Sequence, residues 1–340
     1  MKKERGFFDE ELRLRKISEQ GDPLEKLNCR INWEMFRTTL NNCFQKEHNG
    51  PGGRPPYDYV MMFKILVIQR LYGLSDNQTQ FWILDRLSFM RFLGLELASD
   101  VPDEKTIWLF RETLAKSGRM KQLFKRFGNL LSKEGIIANK GCIVDASFVD
   151  VPRQRNDRDE NELIKNGEIP EAWKDNPSKL RQKDTDARWT KKNEETHYGY
   201  KDHVKVDKDS KIIMDYVVTD ASVHDSQPLI DLLDKGDKGK ELYADSAYSG
   251  EPIAEEIAKR KIKNKIHEKG YRGKPLTKKQ ITKNKKKSKT RVRVEHVFGF
   301  MTNSMKGMYI RAIGMVRTKM VIGLMNLVYN IFRYMQLRRA

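Results

Sequence analysis

At Gly141 the hydrophobic periodicity of the chain changes, and this change restricts the fold more than any other feature. From residue 57 to residue 135, apolar positions recur at three-and-four spacing, the period of helices. Residues 58–72 read as one amphipathic helix. Ser75 and Gln78 stand at capping-box spacing and open a second helix, through Arg86. A short helix follows near residues 88–92, Asp103 can cap another through Ala115, and residues 119–134 make the last. Phe63, Phe81, Trp82, Phe89, Phe92 and Trp108 are expected in the core of this helical domain.

After Gly141 the pattern is that of strands. Residues 142–149 are β-rich, and 197–206 and 211–219 alternate as the arms of a hairpin about a turn at 207–210. A helix capped by Asp225 or Ser226, with Pro228 in its first turn, is expected to run to Asp234. Residues 241–244 form a fourth strand ending on Asp245. Ser249 or Gly250 opens a helix to Arg260, and 261–266 make a fifth strand. A hairpin feeding alternating helices and strands predicts an α/β domain with a mixed five-stranded sheet, behind an all-α domain. The division is an arm and linker at 1–56, a helical domain at 57–135 for DNA binding or dimerisation, and an α/β domain at 136–340. Within the arm a short helix near 32–44 is expected, and the Gly- and Pro-rich run at 50–56 breaks regular structure. Arg54 in that run is either a phosphate contact or a solvated linker cation. The α/β domain carries a polar insertion at 152–196 and a basic tract at 259–293.

Charge narrows the partner. A net charge of +19 over 340 residues points to a polyanion, either nucleic acid or an anionic membrane surface. The longest apolar run, 320–332, is too short to span a bilayer and holds Asn326 and Asn330, so no membrane attachment is expected. The first residues are charged with no apolar run behind them, and the three cysteines are scattered; a reducing cytoplasm is expected. The basic tract holds one acidic residue, Glu268, and its core, Lys283 to Lys289 with Lys285, Lys286 and Lys287, has no periodicity. It reads as a solvated loop, disordered without DNA, whose cations release counterions when they meet duplex phosphates.

Three carboxylates stand out. From Arg291 to Met308 the sequence reads as one helix, with Val294, Val297, Phe298, Met301, Met305 and Met308 on a buried face. Beside them run Arg291, Glu295, Gly299, Thr302 and Lys306, so Glu295 is flanked by cations. A simple ion pair between Arg291 and Glu295 is one reading. Asp145 within an apolar strand and Asp245 at the end of another support a second reading, because buried carboxylates are costly unless they bind something. Singly, each aspartate also suits a cap or turn. If their strands are neighbours and the Glu295 helix crosses them, three hard oxygen ligands converge and select Mg²⁺ or Mn²⁺. Two such ions support in-line phosphoryl transfer.

The motifs in this order resemble the DDE-type transposases of bacterial insertion sequences, most closely the insertion-sequence-five family. The resemblance spans residues 55–332. It rests on Pro55-Pro56-Tyr57, Leu71-Tyr72-Gly73-Leu74-Ser75-Asp76, Val101-Pro102-Asp103-Glu104-Lys105-Thr106 and Ile143-Val144-Asp145-Ala146. It continues through His197-Tyr198-Gly199-Tyr200-Lys201, Ala244-Asp245-Ser246-Ala247-Tyr248-Ser249-Gly250 and Arg291-Val292-Arg293-Val294-Glu295-His296. It implies a ribonuclease-H-like catalytic domain, catalytic roles for Asp145, Asp245 and Glu295, and two Mg²⁺ or Mn²⁺ ions held by them. It also implies cleavage at terminal inverted repeats, joining of 3′-hydroxyl ends to target DNA, a homodimer or higher synaptic assembly, and a nucleoid-associated location. The family often places a tyrosine three residues before the arginine and a lysine seven after the glutamate. Here these are Ser288 and Thr302, and Lys306 is expected to replace the missing cation one turn along the same face.

Further DNA contacts are expected from Arg291, Lys201 and His224, and from Arg188 and Trp189 in the insertion, where stacking or wedging into distorted DNA competes with a buried anchoring role. For His197, His203 and Asp225 the structural reading is preferred, and Tyr200 lies on the same hairpin. The alternatives to transposition are a nuclease or resolvase without strand transfer, and a DNA-binding regulator with inert carboxylates.

Overall fold

The computed structural model describes residues 8–44, 55–192 and 194–338. Most of the expected linker, Arg54 included, lies outside them. The chain folds as two units, Met1–Leu123 and Phe124–Ala340.

The first unit is helical: α1 (Asp9–Glu19), α2 (Pro23–Arg30), a 3₁₀ turn (Trp33–Phe36), α3 (Arg37–Phe44), α4 (Tyr59–Tyr72), α5 (Asp76–Asp85), α6 (Leu87–Leu93) and α7 (Glu104–Ser117). Helices α2, α4, α5 and α7 start where side chains satisfy free N–H groups. Asp58 accepts from the Met61 N–H at 2.9 Å, and Asp103 from the Thr106 N–H at 2.7 Å. Ser75 and Gln78 close a reciprocal capping box. Residues 9–44, expected as an arm, are instead part of this core. Leu24, Leu27, Trp33, Phe36 and Leu40 are buried, with Trp33 edge-on to Phe92 at 5.5 Å and Phe36 against Phe63 at 5.0 Å. Phe81 and Trp108, expected in the core, are 60% and 48% exposed.

The second unit begins within α8 (Met120–Lys133), whose Phe124 and Phe127 meet Tyr216 and Tyr334 edge-on. Its elements are β1 (Gly141–Asp150), α9 (Arg158–Lys165), α10 (Glu171–Lys174), α11 (Pro177–Gln182), β2 (Arg188–Lys192), β3 (Glu195–Asp207), β4 (Ile213–Asp220), α12 (Leu229–Leu232), β5 (Glu241–Tyr243), α13 (Glu251–Lys259), β6 (Lys263–Asn264), α14 (Lys278–Arg291), α15 (Glu295–Asn303) and α16 (Met315–Leu337). The sheet is mixed and ordered β2-β3-β1-β5-β6, with β4 also paired to β3. β1 runs antiparallel to β3 and parallel to β5. It has six strands where five were expected. The extra strand, β2, comes from the polar insertion and pairs with the first part of β3, while β4 pairs with the remainder. Gly199 sits where these pairings meet. A Cβ there would lie 2.4 Å from the Val149 carbonyl oxygen, at a φ of +148°, so only glycine fits.

The rest of the insertion is ordered too. Trp173 is fully buried and donates to Glu160 at 2.6 Å, and Asp184 accepts from the Tyr200 hydroxyl at 2.8 Å. Two layers cover the sheet. On one side α16 packs on β4. The Asn330 side chain accepts from the Ile213 N–H at 2.9 Å and donates to its carbonyl at 2.8 Å, so this asparagine serves as an extra pairing partner for β4. The other core joins Cys142, Val144, Leu242 and Ala244 to Leu229, Leu232 and Ile257 from α12 and α13. The helix expected from Asp225 to Asp234 is the single turn α12, because Asp225 is buried in ion pairs rather than free to cap. Strand β6 keeps two residues of the expected six.

Two corrections bear on the site. The core of the basic tract, expected as a loop, lies within the helix α14, opened by a Thr277–Gln280 capping box. The single helix expected from Arg291 to Met308 is broken. Helix α14 ends at Arg291, a 3₁₀ turn spans Val292–Val294, and α15 starts at Glu295 and ends at Asn303. Lys306 therefore lies beyond the helix, in the left-handed region at φ 48°, and does not continue the face of Glu295. Among the described residues no helix is long and apolar enough to cross a membrane.

Candidate active site

The site is built outward from the β1–β5 pair. Gly141, Cys142 and Ile143 pair with Glu241, Leu242 and Tyr243 in parallel. Continued two residues along both chains, this register leads to Asp145 and Asp245, whose charges are close enough to interact. Strand β5 has ended by then, and Asp245 caps the 3₁₀ turn Ser246–Tyr248, accepting from the Ala247 N–H at 2.8 Å. Asp145 accepts from its neighbour's N–H, Ala146, at 2.9 Å. Each aspartate is thus fixed by backbone through one oxygen.

Arg291 supplies the link to the third carboxylate. Its Nη1 donates to Asp145 Oδ2 at 2.8 Å and its Nη2 to Glu295 Oε1 at 3.1 Å. One guanidinium therefore joins strand β1 to helix α15. The arginine can do this because α14 is docked by its inner face. Asn284 bonds both backbone groups of Glu268, and Ser288 meets the His267 ring at 3.3 Å. The Asp145 and Arg291 side chains are 17% and 23% exposed, whereas Glu295 is open at 57%.

Burial pushes the Asp145 carboxyl up to about 6, against the pull of Arg291 and the Ala146 N–H, and the charge of Asp245 adds to the rise. Tyr248 responds to the same cluster. Burial, then the charges of Asp145, Asp225 and Asp245, raise its hydroxyl well above the usual range. That hydroxyl is buried and has no hydrogen-bond partner among the described residues. Burial and the cations Arg291 and Lys287 lower the His267 imidazole, while Asp245 opposes them. Tyr248 and His267 belong to the site's surroundings and were not singled out from sequence. Tyr248 stood inside a quoted motif three residues after Asp245, which was the available signal.

Asp145 and Glu295 meet at one cationic group, with Asp245 beside Asp145 by register. As placed, no three His, Cys, Asp or Glu side chains among the described residues stand close enough to share an ion. The donor chemistry would suit a hard divalent cation, since all three candidate side chains offer carboxylate oxygens and a cation, Arg291, already fills the space between two of them.

The other expected contacts divide. Lys285 and Lys286 are exposed on α14, while Lys287 turns inward to the Ile266 carbonyl at 2.7 Å. His224 is exposed and accepts or donates at 2.7 Å with Ser226. Trp189 is 40% exposed, lies on Tyr198 at 4.7 Å, and has the Arg153 guanidinium 5.7 Å from its ring. Two surroundings do not serve DNA contact. Lys201 is 6% exposed, donates to the Val223 carbonyl at 2.7 Å and pairs with Asp225 at 2.8 Å. Arg188 is spent on the carbonyls of Thr185, Ala187 and Ile164, which anchors the insertion. His197 stacks on Phe148 at 4.0 Å, and His203 is buried against Thr219, which lowers its imidazole to about 4.

Asp145 stands on β1 and Asp245 just past the end of β5, in a unit that follows a helical one along the chain, and comparison with known families gives this arrangement its class. The model described as "Transposase DDE domain" matches residues 138–331, and the one described as "Transposase domain (DUF772)" matches residues 12–113. The first covers more than half of the chain, which therefore belongs to the DDE transposase family. Among solved structures, a piggyBac transposase synaptic complex with hairpin DNA is similar at 11% identity and a TM-score of 0.44, over 95% of this chain and 76% of that one.

Proposed function

We propose that this DNA transposase binds the terminal inverted repeats of an insertion sequence, cleaves there by hydrolysis, and joins the freed 3′-hydroxyls to target DNA. Its motif set agrees with the insertion-sequence-five family. The observation that carries the reading is the approach of Asp145 and Glu295 to one cationic group, beside Asp245.

Asp145, Asp245 and Glu295 would hold two Mg²⁺ or Mn²⁺ ions, which supply charge neutralisation at the scissile phosphate and a more acidic bound water. The backbone N–H groups of Ala146 and Ala247 fix one oxygen of each aspartate. Arg291 meets a phosphate near the cut. The exposed lysines Lys285 and Lys286 track the backbone, His224 lies at hand for a further phosphate, and Trp189 offers a ring for an unstacked base. Lys306, off the helix but exposed, remains a cation for flanking DNA. Two ends must be held together, so the working form is a homodimer or larger, acting on DNA in the bacterial nucleoid, with the helical unit binding DNA or its own copy.

Incubation with Mg²⁺, end DNA and a target plasmid tests this. Joined products are the expected result. Cleavage without joining would assign a nuclease or resolvase, and binding without any cutting would assign a regulator.

A further inference from the structure

The Arg291 guanidinium occupies the space that the two carboxylates Asp145 and Glu295 would offer to an ion. Its two nitrogens each satisfy one of them, at 2.8 Å and 3.1 Å. A divalent ion and the guanidinium cannot both lie between the same oxygens. Leaving is mechanically simple for the arginine. Its backbone is fixed as the last residue of α14, but its side chain is 23% exposed, so a change of rotamer carries the charge to solvent without moving the helix. The lysines on the outer face of α14, Lys285 and Lys286 among them, lie along the same helix.

We propose that Arg291 and a divalent cation are alternative occupants of the Asp145–Glu295 site. With no ion, the arginine neutralises the carboxylates and holds α15 against β1. When an ion enters, the arginine is displaced and its charge becomes available to a DNA phosphate alongside α14. Ion loading and DNA engagement are therefore coupled through one side chain. This rests on the reading of the three carboxylates as a metal site.

The test is Mn²⁺ binding to the full chain without DNA, followed by loss of the free-ion electron paramagnetic resonance signal. Wild type, Arg291→Gln, Arg291→Lys and Asp145→Asn are compared, with a denaturation curve confirming that each is folded. If the guanidinium holds the site nine-tenths of the time, Arg291→Gln binds Mn²⁺ about ten-fold more tightly than wild type. Arg291→Lys, which keeps one charge but cannot bridge both carboxylates, falls between them and supplies the test should the glutamine variant not fold. Equal or weaker binding in both arginine variants, with measurable binding in wild type, overturns the exchange and leaves the metal site standing. Wild type and arginine variants that bind no better than Asp145→Asn overturn both.

Discussion

Asp202 on β3 is fully buried, and its side chain accepts from Asn326 Nδ2 of α16 at 3.1 Å. Its second oxygen and the Asn326 side-chain oxygen are both left without a partner among the described residues. One proton on Asp202 resolves both, because its hydroxyl can donate to Asn326 and close a reciprocal pair. Burial accordingly pushes this carboxyl from 3.8 up to about 7, with the Asn326 bond pulling the other way. The folded state thus holds a proton that the unfolded chain releases. Its stabilising contribution is complete below the unfolded value of 3.8 and is lost as pH rises through about 7. At about 1.4 kcal/mol per pH unit between these values, the full loss is on the order of 4 kcal/mol. Asn at this position keeps the shape, stays neutral and pairs reciprocally with Asn326. Urea unfolding of Asp202→Asn and wild type across pH 5 to 8 should show the variant gaining stability over wild type as pH rises, by roughly 2.5 kcal/mol across that range, most of it below pH 7. A pH-independent difference, or a variant less stable than wild type at pH 8, would refute the reasoning.

Other perturbations follow from the same contacts. Lys205 is 1% exposed and pairs with Asp234 at 2.8 Å and with the buried Asp237 at 2.6 Å. Lys205→Met leaves a buried carboxylate uncompensated and should cost about 3–5 kcal/mol in denaturant unfolding; a loss under about 1 kcal/mol would contradict this. Gly199→Ala drives a methyl into the Val149 carbonyl, and should lower stability by about 2 kcal/mol or more, read from thermal unfolding. Replacing the exposed Lys285 and Lys286 by Glu should weaken duplex binding and flatten its salt dependence, with the slope of log affinity on log salt falling by about two. An unchanged slope would remove α14 from the DNA interface.

Some of this architecture was legible and some was not, for physical reasons. Helices α4 and α5 announce themselves through Asp58 and the Ser75–Gln78 box ahead of periodic apolar residues. Helix α14 does not, because its lysines carry no apolar period, and its Thr277–Gln280 capping box went unread in the sequence. Strand β2 is half polar and sits at the edge of the sheet, so no alternation marks it within the insertion. The break after Arg291 has no glycine or proline to signal it, and the expected position of Lys306 failed with it. Asp145 and Asp245 drew notice individually through carboxylates in apolar surroundings. That β1 and β5 are adjacent is a matter of topology, which local pattern does not encode. Phe81 and Trp108 follow helical spacing yet face outward, since periodicity marks a face without saying what covers it.

The most direct measurement replaces Mg²⁺ with Fe²⁺ in the protein bound to end DNA and maps peptide cleavage by the hydroxyl radicals the iron generates. Three carboxylates around shared ions predict backbone cuts near residues 145, 245 and 295 together, suppressed by added Mg²⁺. Cuts that spare the neighbourhood of Glu295, or that Mg²⁺ does not suppress, would contradict a site built from these three residues.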